Sequence, residues 1–198
     1  DGLKTGPIAE NTIDANEQHY EVPADYFKAV LGPRLKYLCC WFDDESVSLG
    51  EAEIKMMESY LERAKIEDGQ TILDLGCGWG SLSLFLAERF PNSAIYSVSN
   101  SNDQIEHIKN IAKEKNLENL HPEVQDVNSL TLNQQFDRVV SIEMFEHMRN
   151  YEALLQKVKH LLKPDGLLFI HIFCHKETAY LYEESGEKDW MTRNFFRG

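Results

Sequence analysis

Apolar and polar residues alternate in a changing rhythm along this chain of 198 residues. From residue 70 onwards, short apolar runs alternate with segments in which apolar residues recur every three or four positions. The apolar runs predict five strands, at residues 71–75, 94–99, 120–125, 137–143 and 166–173. The amphipathic segments predict helices at residues 81–90, 102–115 and 151–162. Short strands alternating with helices predict an α/β fold with a parallel, Rossmann-like sheet and right-handed crossovers.

The residues before this region have a helical and less regular pattern. Pro23 can begin a helix that Gly32 ends. Ser48 with Glu51 three positions later predicts a capping box, which opens a helix that runs to about Lys65. We therefore expect a flexible polar arm at 1–16, a helical cap at 17–66 that contributes to the active site, and a sheet core at 67–175. Residues 176–198 are expected to begin a lid or insertion on the substrate side.

Composition narrows the class of protein. The chain is 42% hydrophobic and 27% charged, which is typical of a soluble globular protein. It has no apolar run near the roughly 18 residues of a membrane helix and opens with no signal-peptide pattern. A formal net charge of −13 argues against a nucleic-acid partner. The four cysteines form no C-x-x-C pair, which favours a reducing, cytoplasmic setting.

A glycine-rich turn follows the first predicted strand, with the sequence LDLGCGWG at residues 73–80. Glycine lets the backbone approach a ligand where a Cβ would clash. The following helix would offer free N–H groups and the positive end of its dipole, which suits a small ligand with a carboxylate. The turn lacks the third glycine of the dinucleotide fingerprint and the Gly-Lys-Ser/Thr of a P-loop. It looks like motif I of the S-adenosylmethionine (SAM) methyltransferases.

Two carboxylates and an imidazole follow the fourth predicted strand, in the sequence SIEMFEH at residues 141–147. If a helical turn follows the strand, Glu143 and His147 face one space and Glu146 neighbours both. A general base with an orienting carboxylate is the favoured interpretation, and a solvated loop with capping acids is the plainer one. A metal site is disfavoured because H-E-x-x-H is absent, so we predict no metal.

Polar residues also follow the second and third strands. Asp126 could accept from an adenine amino group, or could be a turn or cap residue. After the second strand, amides and hydroxyls stand where an acidic residue for ribose hydroxyls is expected. His171 lies within the fifth strand, and a satisfied core histidine is the more economical interpretation.

These segments, in this order, resemble the cyclopropane-fatty-acid-synthase-like SAM methyltransferases. The resemblance rests on residues 19–21 (HYE), 36–42 (KYLCCWF), 73–80 (LDLGCGWG), 101–104 (SNDQ), 141–147 (SIEMFEH) and 163–166 (KPDG). The last of these also predicts a turn into the fifth strand. Within the group, the segments at 141–151, 173–176 and 189–196 are most similar to the plant coclaurine-type N-methyltransferases.

The resemblance implies roles for individual residues. Glu21, Glu146 and His147 would surround a substrate amine, with Glu143 close by. The residues implied to touch SAM are Tyr37, Gly76, Gly78, Ser99, Asn100, Gln104, Asp126 and Val127. Leu38 departs from the family, which usually has a serine there that bonds SAM.

The expected function is methyl transfer from SAM to the amine nitrogen of a benzylisoquinoline-like or phenylalkylamine substrate, leaving S-adenosylhomocysteine (SAH). His147 is the expected base, with Glu146 or Glu21 orienting it or holding the ammonium. One alternative is methylene transfer to unsaturated acyl chains, because Cys39, Glu146 and His171 correspond to residues around a bicarbonate in lipid-modifying members.

A further alternative is an inactive SAM-binding module. Usual SAM methyltransferase sheets have seven strands, so five predicted strands indicate part of a larger protein. The small-molecule amine is the expected partner, without nucleic acid or stable membrane insertion, and a homodimer stays an open alternative.

Overall fold

The computed structural model describes residues 4–10, 24–37 and 39–177. Two helices precede the sheet, α1 at Ala24–Val30 and α2 at Leu49–Ala64. Strands and helices then alternate, as β1 (Thr71–Leu75), α3 (Ser81–Arg89), β2 (Ala94–Ser99), α4 (Asn102–Glu114), β3 (Leu120–Val124), β4 (Phe136–Ile142), α5 (Tyr151–Leu161) and β5 (Leu162–His171). A short 3-10 helix at Phe145–His147 lies between β4 and α5.

The five strands of the described region form one parallel sheet in the order β3-β2-β1-β4-β5. This confirms the predicted α/β class. The connection from β1 leads to β2 on one side of it, and β4 returns to the other side. The loops after β1 and β4 therefore part at the carboxyl edge of the sheet, where parallel α/β folds bind ligands.

Helices cover both faces of the sheet, and most residues of the central strands β1 and β4 are buried. One core cluster joins α2, α3 and α4 to the sheet through residues such as Met57, Leu86 and Ile108, all 0% exposed. The other cluster lies around α5 and includes Phe136 and Leu154. Buried apolar residues on both faces explain the near-continuous apolar runs of β1 and β4.

The predicted capping box opens α2. The Ser48 backbone N–H donates to Glu51 Oε2 at 2.9 Å, and the Glu51 N–H donates to Ser48 Oγ at 3.4 Å. The helix ends where Lys65 adopts a left-handed conformation, with φ of 53°. The cap region is thus tied to the sheet by a helix whose start and stop are both encoded locally.

The beginning of β5 differs from the prediction. A turn was expected at residues 163–166, but β5 already pairs with β4 at Leu162, opposite Phe136. The register then shifts, since Arg138 lies opposite Leu167, so the extra residues form an irregularity inside the strand. Lys163 Nζ lies 2.7 Å from Asp137 Oδ2, and a Cβ on Gly166 would lie 2.8 Å from the Phe136 oxygen. Pairing with β4 overrides the local turn signal.

The described part of the predicted flexible arm, residues 4–10, contacts the sheet domain near its end, whereas residues 4–7 are exposed. Ile8 and Ala9 are buried, because they are apolar residues within an otherwise polar segment. The Ile8 carbonyl accepts from the Arg149 N–H at 2.7 Å, and Ala9 exchanges two hydrogen bonds with the Asn128 side chain. Glu10 also forms an ion pair with Arg149.

Among the residues that the structure describes, no helix is both long and apolar enough to cross a membrane. The rest of the predicted arm, the start of the cap and the predicted lid segment after residue 177 lie outside the described residues. The proposed division into arm, cap, core and lid stays a prediction.

Candidate active site

The glycine turn after β1 brings bare backbone to open space. Gly76, Gly78 and Gly80 have φ of 82°, 52° and 82°, in the left-handed region that favours glycine. A Cβ on Gly76 would lie 2.6 Å from Met144 Cγ, and one on Gly80 would lie 2.5 Å from Ile108 Cγ1. A Cβ on Gly78 would meet nothing within 4 Å. The outer glycines are packed tightly, and the middle one leaves space for a ligand.

Hydrogen bonds to neighbouring elements hold this turn in place. The N–H groups of Gly76 and Cys77 both donate to the Val98 carbonyl, at 2.9 and 3.0 Å. Asp74, just before the turn, is buried and accepts from Ser83 Oγ at 2.6 Å. Burial raises the pKa of Asp74 to about 6. Asp74 therefore ties β1 to α3 and is a structural part of the site.

Polar side chains at the end of β2 leave one buried donor for a ligand. Ser99 Oγ donates to Gln104 Oε1 at 2.7 Å, and the Ser101 N–H donates to Ser99 Oγ at 3.1 Å. Gln104 is 2% exposed, yet its Nε2 has no hydrogen-bond partner among the described residues. Asn100 lies between the two serines at the same edge. Buried donors are normally satisfied, so an acceptor on a ligand fits here.

The residues predicted after β3 form a tight turn. Asp126 Oδ1 accepts from the Asn128 N–H at 2.7 Å, and Lys157 Nζ donates to the Val127 carbonyl at 3.1 Å. This is the turn role that the sequence left open for Asp126. Both residues stand at the carboxyl edge of the sheet, so their predicted contact with a cofactor is compatible with the fold and stays a prediction.

An aromatic group joins the cap to the glycine turn. The Phe27 ring on α1 lies 5.0 Å from the Trp79 ring and 5.8 Å from the Tyr37 ring, between ring centroids. Trp79 is buried, and its Nε1 has no partner within the described residues. Tyr37 was predicted to touch the cofactor, and this packing brings it beside the turn. Phe27 and Trp79 were missed, because single aromatic residues are ordinarily core residues.

The acidic segment after β4 carries two half-buried carboxyl groups, those of Glu143 and Glu146. Burial raises the pKa of Glu143, and it raises the pKa of Glu146 to about 7, with the Glu143 charge adding to the effect. One oxygen of each carboxyl group is buried without a partner among the described residues. Glu146 Oε1 accepts from the Phe173 N–H at 3.2 Å. Such groups are frequent in functional sites.

His147 lies in the 3-10 helix of the same segment, and its N–H donates to the Met144 carbonyl at 3.1 Å. Met144 also packs beneath Gly76. Met144 therefore contacts both the backbone of His147, the predicted base, and Gly76 of the glycine turn. Glu21, the remaining predicted catalytic residue, and Leu38 lie outside the described residues.

His171 is half-buried at the end of β5, at the edge of this region. Its Nδ1 lies 2.9 Å from the Tyr60 hydroxyl, and its Nε2 lies 3.9 Å from Cys39 Sγ. The predicted satisfied histidine is thus satisfied by Tyr60, but it lies beside the acidic segment. The backbone pairing of Glu143 with the His171 carbonyl, at 2.7 Å, places the two residues together. Sequence spacing carries no signal for this contact.

Comparison with known proteins agrees with this geometry. The family model for mycolic acid cyclopropane synthetase matches residues 9–198. The chain is 43% identical over 194 residues to (S)-coclaurine N-methyltransferase of Thalictrum flavum subsp. glaucum, covering 98% of this chain and 54% of the relative. It is 32% identical over 164 residues to the cyclopropane-fatty-acyl-phospholipid synthase of Escherichia coli K12, covering 82% of this chain and 41% of the relative.

Solved structures show the same relationship. A coclaurine N-methyltransferase bound to N-methylheliamine and SAH superposes with a TM-score of 0.92 at 41% identity, covering 96% of this chain and 55% of that one. The mycolic acid cyclopropane synthase CmaA1, complexed with SAH and CTAB, superposes with a TM-score of 0.73 at 26% identity, covering 86% and 57%.

The chain spans about half the length of the curated relatives that it matches. Its parallel sheet, glycine turn and strand order are those of a class I SAM methyltransferase. With the family match over residues 9–198, these findings show that the chain belongs to the mycolic acid cyclopropane synthetase family.

Proposed function

We propose that this protein is a SAM-dependent methyltransferase that methylates the amine nitrogen of an alkaloid-like substrate. The observation that carries the proposal is a pair of half-buried carboxyl groups, Glu143 and Glu146, on the segment whose Met144 packs against Gly76; each has one buried oxygen with no partner among the described residues. The likeness to the coclaurine N-methyltransferases at 41–43% identity supports an amine as the acceptor.

The residues at the carboxyl edge fit SAM. The open backbone at Gly78 accommodates a ligand, and the buried Gln104 Nε2 offers it a donor. When bound, SAM supplies a methyl group that is activated by the adjacent sulfonium. The residues proposed to hold it are Tyr37, Gly76, Gly78, Ser99, Asn100, Gln104, Asp126 and Val127. Much of the rate enhancement can then come from positioning the two reactants in line.

The acidic segment carries groups that can accept the proton that the substrate amine must lose. An alkylamine is largely protonated at neutral pH and attacks only through its free lone pair. His147 is the proposed base, with Glu146, Glu143 and Glu21 around the nitrogen. A carboxyl group with a pKa near 7, such as Glu146, can both attract an ammonium and accept its proton.

Methylene transfer to an unsaturated acyl chain is the second candidate. It is favoured by the closeness of Cys39 to His171, at 3.9 Å, since these residues correspond to the bicarbonate surroundings of lipid-modifying members. The similarity to the Escherichia coli synthase supports it more weakly than the coclaurine likeness, at 32% identity.

One assay separates the two candidates. The purified protein is incubated with methyl-labelled SAM and a panel of benzylisoquinoline and phenylalkylamine substrates, with unsaturated phospholipid vesicles in parallel. Label on an amine nitrogen supports the proposal, and label in lipid alone overturns it in favour of the second candidate. Saturable SAM binding without transfer to either acceptor would favour a non-catalytic module.

The base assignment has a separate test. His147→Ala should lower turnover much more than it lowers SAM affinity, because the imidazole acts on the acceptor amine. SAM affinity is measured by calorimetry and turnover by product formation. Unchanged turnover with tight SAM binding would show that His147 is not the base.

A further inference from the structure

Three side chains with metal-binding atoms meet where the loop after α1 approaches the ends of β4 and β5. Cys39 Sγ, a Glu143 carboxylate oxygen and a His171 ring nitrogen lie within 4.8 Å of one another. A thiolate, an imidazole and a carboxylate together form a donor set that Zn²⁺ and related divalent ions favour. The absence of H-E-x-x-H argued against a metal, but these ligands come from three separate segments.

His171 is already oriented as a ligand. The Tyr60 hydroxyl lies 2.9 Å from Nδ1, and Nε2 points towards Cys39 Sγ at 3.9 Å. A hydrogen bond at one ring nitrogen fixes the ring and leaves the other nitrogen to bind.

The other two ligands complete an accessible site. Glu143 has a buried carboxylate oxygen with no partner among the described residues, and Cys39 is exposed to solvent. Bonds of about 2.0–2.3 Å in a tetrahedral site would place ligand atoms about 3.3–3.6 Å apart. The three ligand atoms lie within 4.8 Å of one another, and rotation of the Cys39 and Glu143 side chains can shorten these separations.

Lys36 carries a positive charge that would repel a metal cation bound by Cys39, Glu143 and His171. It is buried, and its positive charge acts on both Cys39 and Glu143. A metal ion at the site would replace Lys36 in compensating the thiolate and the carboxylate.

We propose that Cys39, Glu143 and His171 form a three-ligand site for a divalent transition-metal ion such as Zn²⁺, with solvent at the fourth position. On binding, a sulfur–metal bond forms and the thiol proton of Cys39 leaves to solvent. The ion also engages the Glu143 carboxylate, so Zn²⁺ should inhibit methyl transfer. This inhibition, unlike the site itself, rests on the proposed function.

The test titrates the reduced, metal-free protein with Co²⁺ and follows its absorption spectrum. The expected result is one equivalent of Co²⁺ bound, with a thiolate-to-cobalt charge-transfer band and the intense visible bands of a tetrahedral ion. Cys39→Ser should abolish the charge-transfer band, whereas Cys40→Ser and Cys174→Ser should keep it. Tyr60→Phe should weaken binding about 10-fold, because it removes the bond that orients His171.

Two outcomes would overturn the site. One is a wild-type protein that binds no Co²⁺ with a thiolate band. The other is a band that survives Cys39→Ser and disappears in Cys40→Ser or Cys174→Ser. Circular dichroism of each variant shows that loss of the band is not loss of the fold. Because the spectrum needs no enzyme activity, a protein that methylates no amine still tests the site.

Discussion

The two ends of this site are built in different ways. At the β1–β2 end, the site is formed mainly by the backbone. Three glycines adopt left-handed conformations, and two N–H groups of the turn donate to the Val98 carbonyl. At the β4 end, side chains form the site, because Glu143 and Glu146 are half-buried and each has one buried oxygen with no partner among the residues that the structure describes. Under the proposed function, the first end accepts the cofactor and the second carries the ionisable groups around the amine.

Because the two ends are built differently, substitutions at each end should have different effects. The glycine turn is over-determined by contacts with β2, α4 and Met144, so a substitution there acts on folding and binding together. The carboxyl groups are held at an electrostatic cost, so their neutral replacements should leave the fold intact and remove chemistry. Substitutions at the two ends should therefore separate ligand binding from chemistry.

The largest effect is expected from Glu146→Gln. The amide keeps the shape but cannot accept a proton or hold an ammonium, so turnover should fall about 100-fold or more. SAM affinity, measured by calorimetry, should change less than about 3-fold. In the wild type, the rate should rise with pH through about 7 as the Glu146 carboxyl ionises. The control is Glu118→Gln, on an exposed residue, and an equal loss of SAM affinity and turnover would contradict the separation.

Gly76→Ala should be the most damaging substitution at the other end. The new Cβ would lie 2.6 Å from Met144 Cγ at a φ of 82°, so overpacking adds to backbone strain. We expect a loss of about 3 kcal/mol in the free energy of unfolding, measured by urea denaturation.

Gly69→Ala is the matched control for that substitution. Gly69 has a φ of 86°, but a Cβ there would meet nothing within 4 Å. It should cost only the backbone strain, about 1 kcal/mol. Equal losses for the two variants would show that the contact with Met144 does not constrain the turn.

Gln104→Met should weaken SAM binding about 10-fold, because it removes a buried donor while keeping a similar volume. Calorimetry measures the affinity, and Gln135→Met, at an exposed position, is the control. Turnover at saturating SAM should stay within about 2-fold of the wild type. Unchanged affinity would show that the buried Nε2 does not face the cofactor.

The smallest effect is a pH-dependent stability difference. The pKa of Glu146 is raised from 4.5 to about 7 by folding. The folded protein therefore binds the proton more tightly, and its stability falls as pH rises from about 4.5 to 7. Glu146→Gln removes this term and should be about 1 kcal/mol more stable than the wild type near pH 8, allowing for screening. Thermal melts near pH 4 should show no gain.

Local sequence patterns predict most of the sheet correctly. The features that they do not predict depend on long-range contacts. The bounds of β1 and β2 match the prediction because apolar runs and flanking turns agree there. The start of β5 does not, because pairing with β4 competes with a strong local turn signal. The glycine turn and the acidic segment are each contiguous, so the sequence revealed both.

The contacts that join those segments could not be predicted from the sequence. Cys39, Tyr60 and His171 meet only because α2 and the loop after α1 pack on the end of β5. The raised pKa of Glu146 depends on burial, which no motif states. Sequence spacing identifies which groups are present, and the tertiary structure decides which of them lose water.

The contact between Gly76 and Met144 also has an evolutionary consequence. A side chain can enter position 76 only if position 144 first gives up its own, so the two positions should change together in divergent relatives. A lineage that shortens residue 144 gains freedom in the turn and at the same time loosens the segment that carries Glu143 and Glu146. Under the proposed function, acceptor preference can then drift through a single permissive substitution, without any change at the residues proposed to contact the acceptor.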